Sequence, residues 1–263
     1  MLPTHITQQI INIAGTAAEA IMQVYHSDFS VENKADGSLL TQADLASHQT
    51  ITQALRTVTP DIPILSEESS SIPWAERQGW QQYWLVDPLD GTREFVKRND
   101  EFTVNIALIE DHAPVFGVVH VPITQVCYYA GKGSGAFKIA AGTTTQIHTR
   151  RVGNNIVMGG SRSHAGNREQ AFRAALGDNV ELVSIGSSLK FCLVAEGKVD
   201  VYPRFGPTSE WDTAAAHCIV NEAGGQVLDL DYRPLRYNDK DSLLNPEFIV
   251  LGDPSFDWPL VSG

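Results

Sequence analysis

Asp87-Pro88-Leu89-Asp90-Gly91-Thr92 puts two carboxylates three residues apart in a loop that Pro88 stiffens and Gly91 lets approach other backbone closely. The apolar residues 83–86 before it read as a strand ending in Asp87, and 92–97 read as the start of a helix. Free N–H groups at a helix start suit a phosphate. Carboxylates beside a phosphate would repel it unless cations lay between them. The arrangement therefore makes sense mainly for Mg²⁺, which prefers carboxylate and water ligands and shares substrate phosphate oxygens. Spacing alone also fits an acid-rich surface turn with a helix cap. Two further acidic places shift that balance. Glu67-Glu68 follows the apolar run 62–65, and Asp212 opens an alanine-rich helix after Trp211. Small residues in that first turn would let a ligand and other backbone come close. Four candidate carboxylates thus sit at strand ends or helix starts, where functional loops gather.

These side chains need a frame. Helices are expected over 4–25 and 41–58, the second opened by the capping sequence Thr41-Gln42-Ala43-Asp44 and stopped by Thr59-Pro60. Alternation over 103–110, a turn at 111–114 and a return over 115–121 predict a β-hairpin, continued by 126–130 and 136–139. After Arg151 strands (156–159, 180–185, 199–202, 226–230, 248–251) alternate with helices (167–176, 188–196, 211–223), the last closed by Gly224-Gly225. The expectation is an α/β chain in two closely packed portions. Residues 1–152 would be helices and a mostly antiparallel sheet carrying the metal loop, and 153–263 an α/β unit completing the site.

The composition excludes several classes. The 263 residues are 43% hydrophobic, too apolar for a disordered chain. A formal net charge of −12 argues against a nucleic-acid polymer as partner and against a polybasic membrane anchor. Cys127, Cys192 and Cys218 are widely spaced among apolar neighbours and read as buried thiols of a cytoplasmic protein. No apolar run is long enough to span a bilayer, and the first residues read as an amphipathic helix instead of a signal peptide.

Taken in order, these segments resemble the inositol monophosphatase superfamily of Mg²⁺-dependent, lithium-sensitive phosphatases. Residues 87–92 match its D-P-[IL]-D-G-T signature, and Trp211-Asp212-Thr213-Ala214-Ala215 its W-D-x-A-[AS]-G signature. Leu65-Ser66-Glu67-Glu68 and Thr41-Gln42-Ala43-Asp44 match two shorter elements. Ala216 departs from the pattern, where the family often has Gly, and bears on local packing. The stretch 83–95, with Glu94 where inositol monophosphatases usually have Asn, resembles the CysQ branch of 3′(2′),5′-bisphosphate nucleotidases. So do 105–109, 186–197 and 202–208.

The resemblance implies an αβαβα layered fold. It implies hydrolysis of the 3′-phosphate of adenosine 3′,5′-bisphosphate to AMP, with 3′-phosphoadenylyl sulfate as a second substrate, in sulfate assimilation. It assigns Glu67, Asp87, Asp90, Asp212 and the Leu89 carbonyl to two or three Mg²⁺ ions. Gly91 and Thr92 would face the phosphate or the attacking water, and Asp44 or Glu67, acting with Thr92, would take the proton in an in-line attack. Ser187, Lys190 and Arg204 would contact the 5′-phosphate or nucleotide, with Ser161-Arg162-Ser163-His164 a weaker candidate of that kind. The substrate-facing set is therefore Glu67, Leu89, Asp90, Gly91, Thr92, Ser187, Lys190, Arg204 and Asp212. The branch further implies a monomer, with peripheral association at the cytoplasmic face of the inner membrane open to it, although the sequence shows no anchor. Phosphatases of inositol phosphate or histidinol phosphate, and a non-catalytic nucleotide- or metal-binding module, are the competing readings.

Overall fold

The computed structural model describes residues 2–34, 38–160 and 166–259. Helices α1 (Thr4–Tyr25) and α2 (Gln42–Val58) flank a short hairpin, β1 (Val31–Asn33) and β2 (Leu39–Thr41). Next come β3 (Ile64–Ser66), a 3-10 turn at Glu67–Ser69, α3 (Trp74–Arg77), β4 (Gln82–Asp90) and the single turn α4 (Thr92–Val96). A meander follows through β5 (Thr103–Glu110), β6 (Ala113–Val121), β7 (Val126–Gly131), β8 (Gly135–Ala140) and β9 (Thr143–Ile147). The remainder runs β10 (Ile156–Gly160), α5 (Asn167–Ala175), β11 (Val180–Ser184), α6 (Leu189–Ala195), β12 (Val201–Arg204), α7 (Glu210–Glu222), β13 (Gln226–Asp229) and β14 (Phe248–Leu251).

The first sheet has seven strands in the order β3-β4-β5-β6-β7-β8-β9, antiparallel except for the β3–β4 pair. The second has five, β11-β10-β12-β14-β13, with β10 parallel to both β11 and β12 and the other pairs antiparallel. Alternate side chains of the first sheet point to opposite cores, as the period of a strand requires. Trp84, Val86, Ile106 and Val118 meet Ile10 and Ile21 of α1 and Ile51 and Leu55 of α2. Leu85, Ala107, Ile109 and Val119 meet Ala214, Ala215 and Ile219 of α7. Val157, Tyr202 and Val250 of the second sheet join that same cluster, so α6 and α7 are shared between the sheets. On the outer face Met158, Val201 and Ile249 pack on Phe172 of α5. The layers are therefore α1/α2, sheet, α6/α7, sheet, α5. A strand covered on both faces reads as an unbroken apolar run, which is why 83–86 lack alternation.

Gly117 sets how closely α7 lies on the first sheet. A Cβ there would stand 2.2 Å from the Ala215 carbonyl oxygen. Ala216, the departure from the family pattern, is buried in the shared core, so its methyl is accommodated. All three cysteines are buried and unpaired.

Several features differ from the sequence expectations. Strand β4 does not end at Asp87 but continues through an irregularity to Asp90, which pairs with Thr103. The hairpin β1–β2 and strand β9 were not expected. All of β1 and four of the five residues of β9 are exposed, so neither carries the apolar face that marks a strand. Strand β12 lies two residues later than its apolar run, taking in Pro203 and Arg204.

Candidate metal centre and substrate cavity

The irregular end of β4 turns Asp87 and Asp90 towards one point, and α7 brings Asp212 to it from its first turn. Carboxylate oxygens of these three residues lie within 4.8 Å of one another. Each is fixed by its local structure. Asp87 Oδ1 accepts the Leu89 N–H at 3.1 Å. Asp212 is the third helical residue of a capping box and accepts the Ser209 N–H at 2.9 Å. Asp90 Oδ2 accepts the Ser188 N–H at 2.5 Å, with the Thr103 hydroxyl and the Asn105 amide each 3.4 Å away. The loop can turn this tightly because Gly91 has φ +93°, and a Cβ there would come 2.9 Å from the Glu101 carbonyl oxygen.

Burial and mutual repulsion shape the charge state. Asp87, 1% exposed, is pushed well above the carboxylate range by burial, then by the charges of Glu67, Asp90 and Asp212. Burial, then the charges of Asp90 and Glu67, raise Asp212 to about 8. Asp90 is raised by burial, against the pull of Lys190 and the Ser188 N–H. A cluster that must hold protons to exist without cations is built to receive cations. Its donors are all oxygen, which suits a hard divalent ion such as Mg²⁺ and not a metal that selects thiolate or imidazole. The Leu89 carbonyl lies beside it, 3.3 Å from the Thr92 hydroxyl.

The charge of Glu67 acts on Asp87, but its Oε1 accepts the Lys34 ammonium at 2.7 Å. Lys34 donates equally to Glu68 at 2.7 Å. The cluster of three carboxylates accordingly does not include Glu67 among the described residues. Asp44 is 1% exposed at the start of α2. Its Oδ2 accepts from the Thr41 N–H (2.7 Å) and hydroxyl (2.6 Å), and its Oδ1 from the Thr92 hydroxyl (3.1 Å). Burial raises its pKa, opposed by the Thr41 hydrogen bonds. The one Thr92 hydroxyl proton has Asp44 and the Leu89 carbonyl as acceptors, which leaves the Thr92 oxygen lone pairs able to accept a further hydrogen bond.

Residues 185–190 reach the acidic cluster through the Ser188 N–H on Asp90. Ser187 has φ +48°, rare for a residue with a side chain. Lys190 is 6% exposed, and its ammonium donates to the carbonyls of Ile185 (2.9 Å) and Ser187 (2.8 Å) beneath the ring of Tyr202. Burial lowers its pKa to about 8, against the attraction of Asp90. It thus stitches the loop together instead of reaching into open space. Arg204 does reach a cavity, of about 550 Å³, which it lines with Arg93, Arg168 and Phe205. Its guanidinium is steadied by the Thr208 hydroxyl at 2.7 Å. The weaker candidates Ser161, Arg162, Ser163 and His164 lie outside the described residues.

A family model described as the inositol monophosphatase family matches residues 2–250. The chain belongs to the inositol monophosphatase family. Two relatives within it are 3′(2′),5′-bisphosphate nucleotidases CysQ. That of Salmonella typhimurium is 51% identical over 92% of this chain and 98% of its own. That of Escherichia coli strain K12 is 50% identical over the same shares. Among solved structures, CysQ from Bacteroides thetaiotaomicron superposes with a TM-score of 0.83 at 42% identity, covering 93% of this chain and 96% of that one. An inositol monophosphatase of Thermotoga maritima has a TM-score of 0.76 at 25% identity, over 92% and 90%.

For this inositol monophosphatase family chain, the sequence reading passed over several residues at the site. Lys34 sits in a polar loop with no motif of its own, and only the fold carries it to Glu67. Arg93 and Phe205 stand inside segments that carry the family resemblance, but neither belongs to a signature motif. The shell around Asp90, made by Thr103, Asn105 and Ser188, is assembled across 13 to 98 residues of sequence separation and left no local signal.

Proposed function

We propose that this chain is a Mg²⁺-dependent phosphatase that removes the 3′-phosphate of adenosine 3′,5′-bisphosphate, leaving AMP and phosphate, with 3′-phosphoadenylyl sulfate as a second substrate. The observation that carries this reading is the all-oxygen acidic cluster in a chain that also holds a cavity of about 550 Å³, lined by Arg93, Arg204 and Phe205 together with Arg168, which pairs with Glu247, and Glu169. An inositol monophosphate has no second anion for Arg93 and Arg204 and no base to bring to the side of Phe205 that Arg168 leaves uncovered. A bisphosphate nucleotide has both. The names of the relatives support the same choice.

In this reading residues 1–152 supply Glu67, Asp87, the Leu89 carbonyl and Asp90, and residues 153–263 complete the ion set with Asp212. Two or three bound Mg²⁺ ions would neutralise the phosphate and make water a competent nucleophile at neutral pH. The protein's own groups do the rest. Thr92 accepts a hydrogen bond from the attacking water, and Asp44, already bonded to the Thr92 hydroxyl, takes the proton through it. Glu67 is the alternative acceptor and first has to part from Lys34. Main-chain N–H groups at Gly91 and Thr92 orient the scissile phosphate. Arg204 and Ser187 hold the second phosphate and sugar, with Lys190 keeping the Ser187 loop in shape. The active species is a monomer, and its place is the cytoplasm. Among the described residues no helix is long and apolar enough to cross a membrane.

The test is phosphate release with Mg²⁺ from adenosine 3′,5′-bisphosphate, inositol 1-phosphate and histidinol phosphate. The bisphosphate should have the highest kcat/KM. Preference for either monoester would refute the substrate, and no turnover of any of the three despite bound metal would favour a binding module.

A further inference from the structure

The residues that would face the nucleotide do not hold their own conformation. Ser187 carries a side chain at φ +48°, a region that costs energy and persists only when its surroundings impose it. Two hydrogen bonds from the neighbouring residues impose it. The Gly186 N–H donates to Glu101 Oε2 at 2.7 Å, and the Ser188 N–H donates to Asp90 Oδ2 at 2.5 Å. Both acceptors come from the first sheet's side of the molecule, Asp90 at the end of β4 and Glu101 just before β5. The peptide that presents Ser187 is therefore gripped on one side by a carboxylate of the acidic cluster and on the other by a carboxylate with no place in it.

Contact geometry supports the grip at Glu101. A Cβ on Gly186 would lie 2.8 Å from Glu94 Cγ and 3.1 Å from Glu101 Oε2, so the loop backbone is seated directly on these two acids. From below, the Lys190 ammonium ties the carbonyls of Ile185 and Ser187. The buried hydroxyl of Ser188 meets Thr103 Oγ1 at 2.9 Å and Asn105 Oδ1 at 3.0 Å.

We infer that Glu101 is a positioning residue for the substrate: by accepting the Gly186 N–H it fixes the left-handed Ser187 turn against the metal-site carboxylate Asp90, so that the nucleotide-facing wall and the ion site keep a common register. This rests on the nucleotidase reading of the site. Glu101 need not touch substrate to act. What it supplies to the Gly186 N–H is an acceptor, and the amide oxygen of glutamine can replace that acceptor.

Glu101→Ala, Glu101→Gln and Gly186→Ala separate the possibilities. Hydrogen exchange of the 185–190 backbone, read by mass spectrometry without substrate, should speed up in Glu101→Ala and Gly186→Ala and stay near wild type in Glu101→Gln. Loss of one positioning hydrogen bond should raise KM for adenosine 3′,5′-bisphosphate by about tenfold in the first two variants. For p-nitrophenyl phosphate, which has no second anion, kcat and KM should remain within about twofold of wild type. Unchanged exchange in Glu101→Ala overturns the clamp. Faster exchange with equal KM effects on both substrates, or Glu101→Gln behaving like Glu101→Ala, overturns the positioning role. A wild-type enzyme that does not turn over the bisphosphate, while exchange responds as described, refutes the nucleotidase reading and leaves the clamp itself standing.

Discussion

Replacing Asp90 by Asn should change the stability of this protein in opposite directions with and without Mg²⁺. The carboxylates of Asp87, Asp90 and Asp212 lie within 4.8 Å of one another. At that separation and an effective dielectric constant of about 20, each pair of full charges repels by about 3.5 kcal/mol. The Asp90→Asn substitution removes two of the three repulsions, and with them the smaller opposing attraction to the buried Lys190 ammonium. Much of that strain is already relieved by protonation, since Asp212 is raised to about 8, so the net gain in EDTA should be about 1–2 kcal/mol, or several degrees in Tm. The amide oxygen can still accept the Ser188 N–H, so the fold keeps its anchor. With Mg²⁺ the sign reverses. Wild type at a hundredfold excess over Kd gains about 2.7 kcal/mol, and loss of one ligating charge should abolish most of that. Turnover should fall by about 10³-fold, the worth of one unit charge about 4 Å from the reacting centre. Thermal denaturation in EDTA and in saturating MgCl₂, with phosphate release on the same samples, reads all three effects. A variant less stable than wild type in EDTA, an undiminished Mg²⁺ shift, or near-normal turnover would each refute the assignment of Asp90 to the metal.

Three further outcomes are expected. Thr92→Val keeps the shape but deletes the hydroxyl bonded to Asp44, so under the proposed mechanism kcat should drop by about 10²-fold or more with the Mg²⁺ requirement unchanged, checked by initial rates against MgCl₂ concentration. Lys34→Ala removes an ammonium 2.7 Å from Glu67, and the half-saturating Mg²⁺ concentration in a thermal-shift titration should fall. In metal-free protein the raised pKa values of Asp87 and Asp212 mean that the folded state binds more protons than the unfolded one. Stability in EDTA should therefore fall as pH rises from about 4 to about 8. Mg²⁺ displaces those protons, so its Tm shift should be larger at about pH 8 than at about pH 5, as scanning calorimetry would show.

What could be read ahead of the structure follows from how local each feature is. Asp87, Leu89, Asp90, Gly91 and Thr92 share six consecutive residues, so their types and order are legible locally, although Asp90 is oriented by distant Thr103, Asn105 and Ser188 as well. The long helices and the hairpin β5–β6 announce themselves because one face is buried and the other repeats against it. Asp212 was marked weakly by the small residues after it and firmly only by its motif, since an acid in a first helical turn is more often just a cap. The contacts that close the site are of another kind. Lys34 meets Glu67 across 33 residues and Gly186 meets Glu101 across 85, and neither partner has neighbours that specify the other. Lys190 is the sharpest example. In sequence it is a lone cation beside Ser187, free to hold a phosphate, yet the fold turns its ammonium inward onto two main-chain carbonyls. Burial of the flanking α6 residues, not any local pattern around the lysine, decides that direction.

The most direct test of the account is the identity of the product formed from adenosine 3′,5′-bisphosphate, followed by ³¹P NMR with Mg²⁺ and with EDTA. Mg²⁺ should yield inorganic phosphate and AMP that keeps its 5′-phosphate, and EDTA should yield neither. Release of the 5′-phosphate, or equal hydrolysis in EDTA, would contradict it.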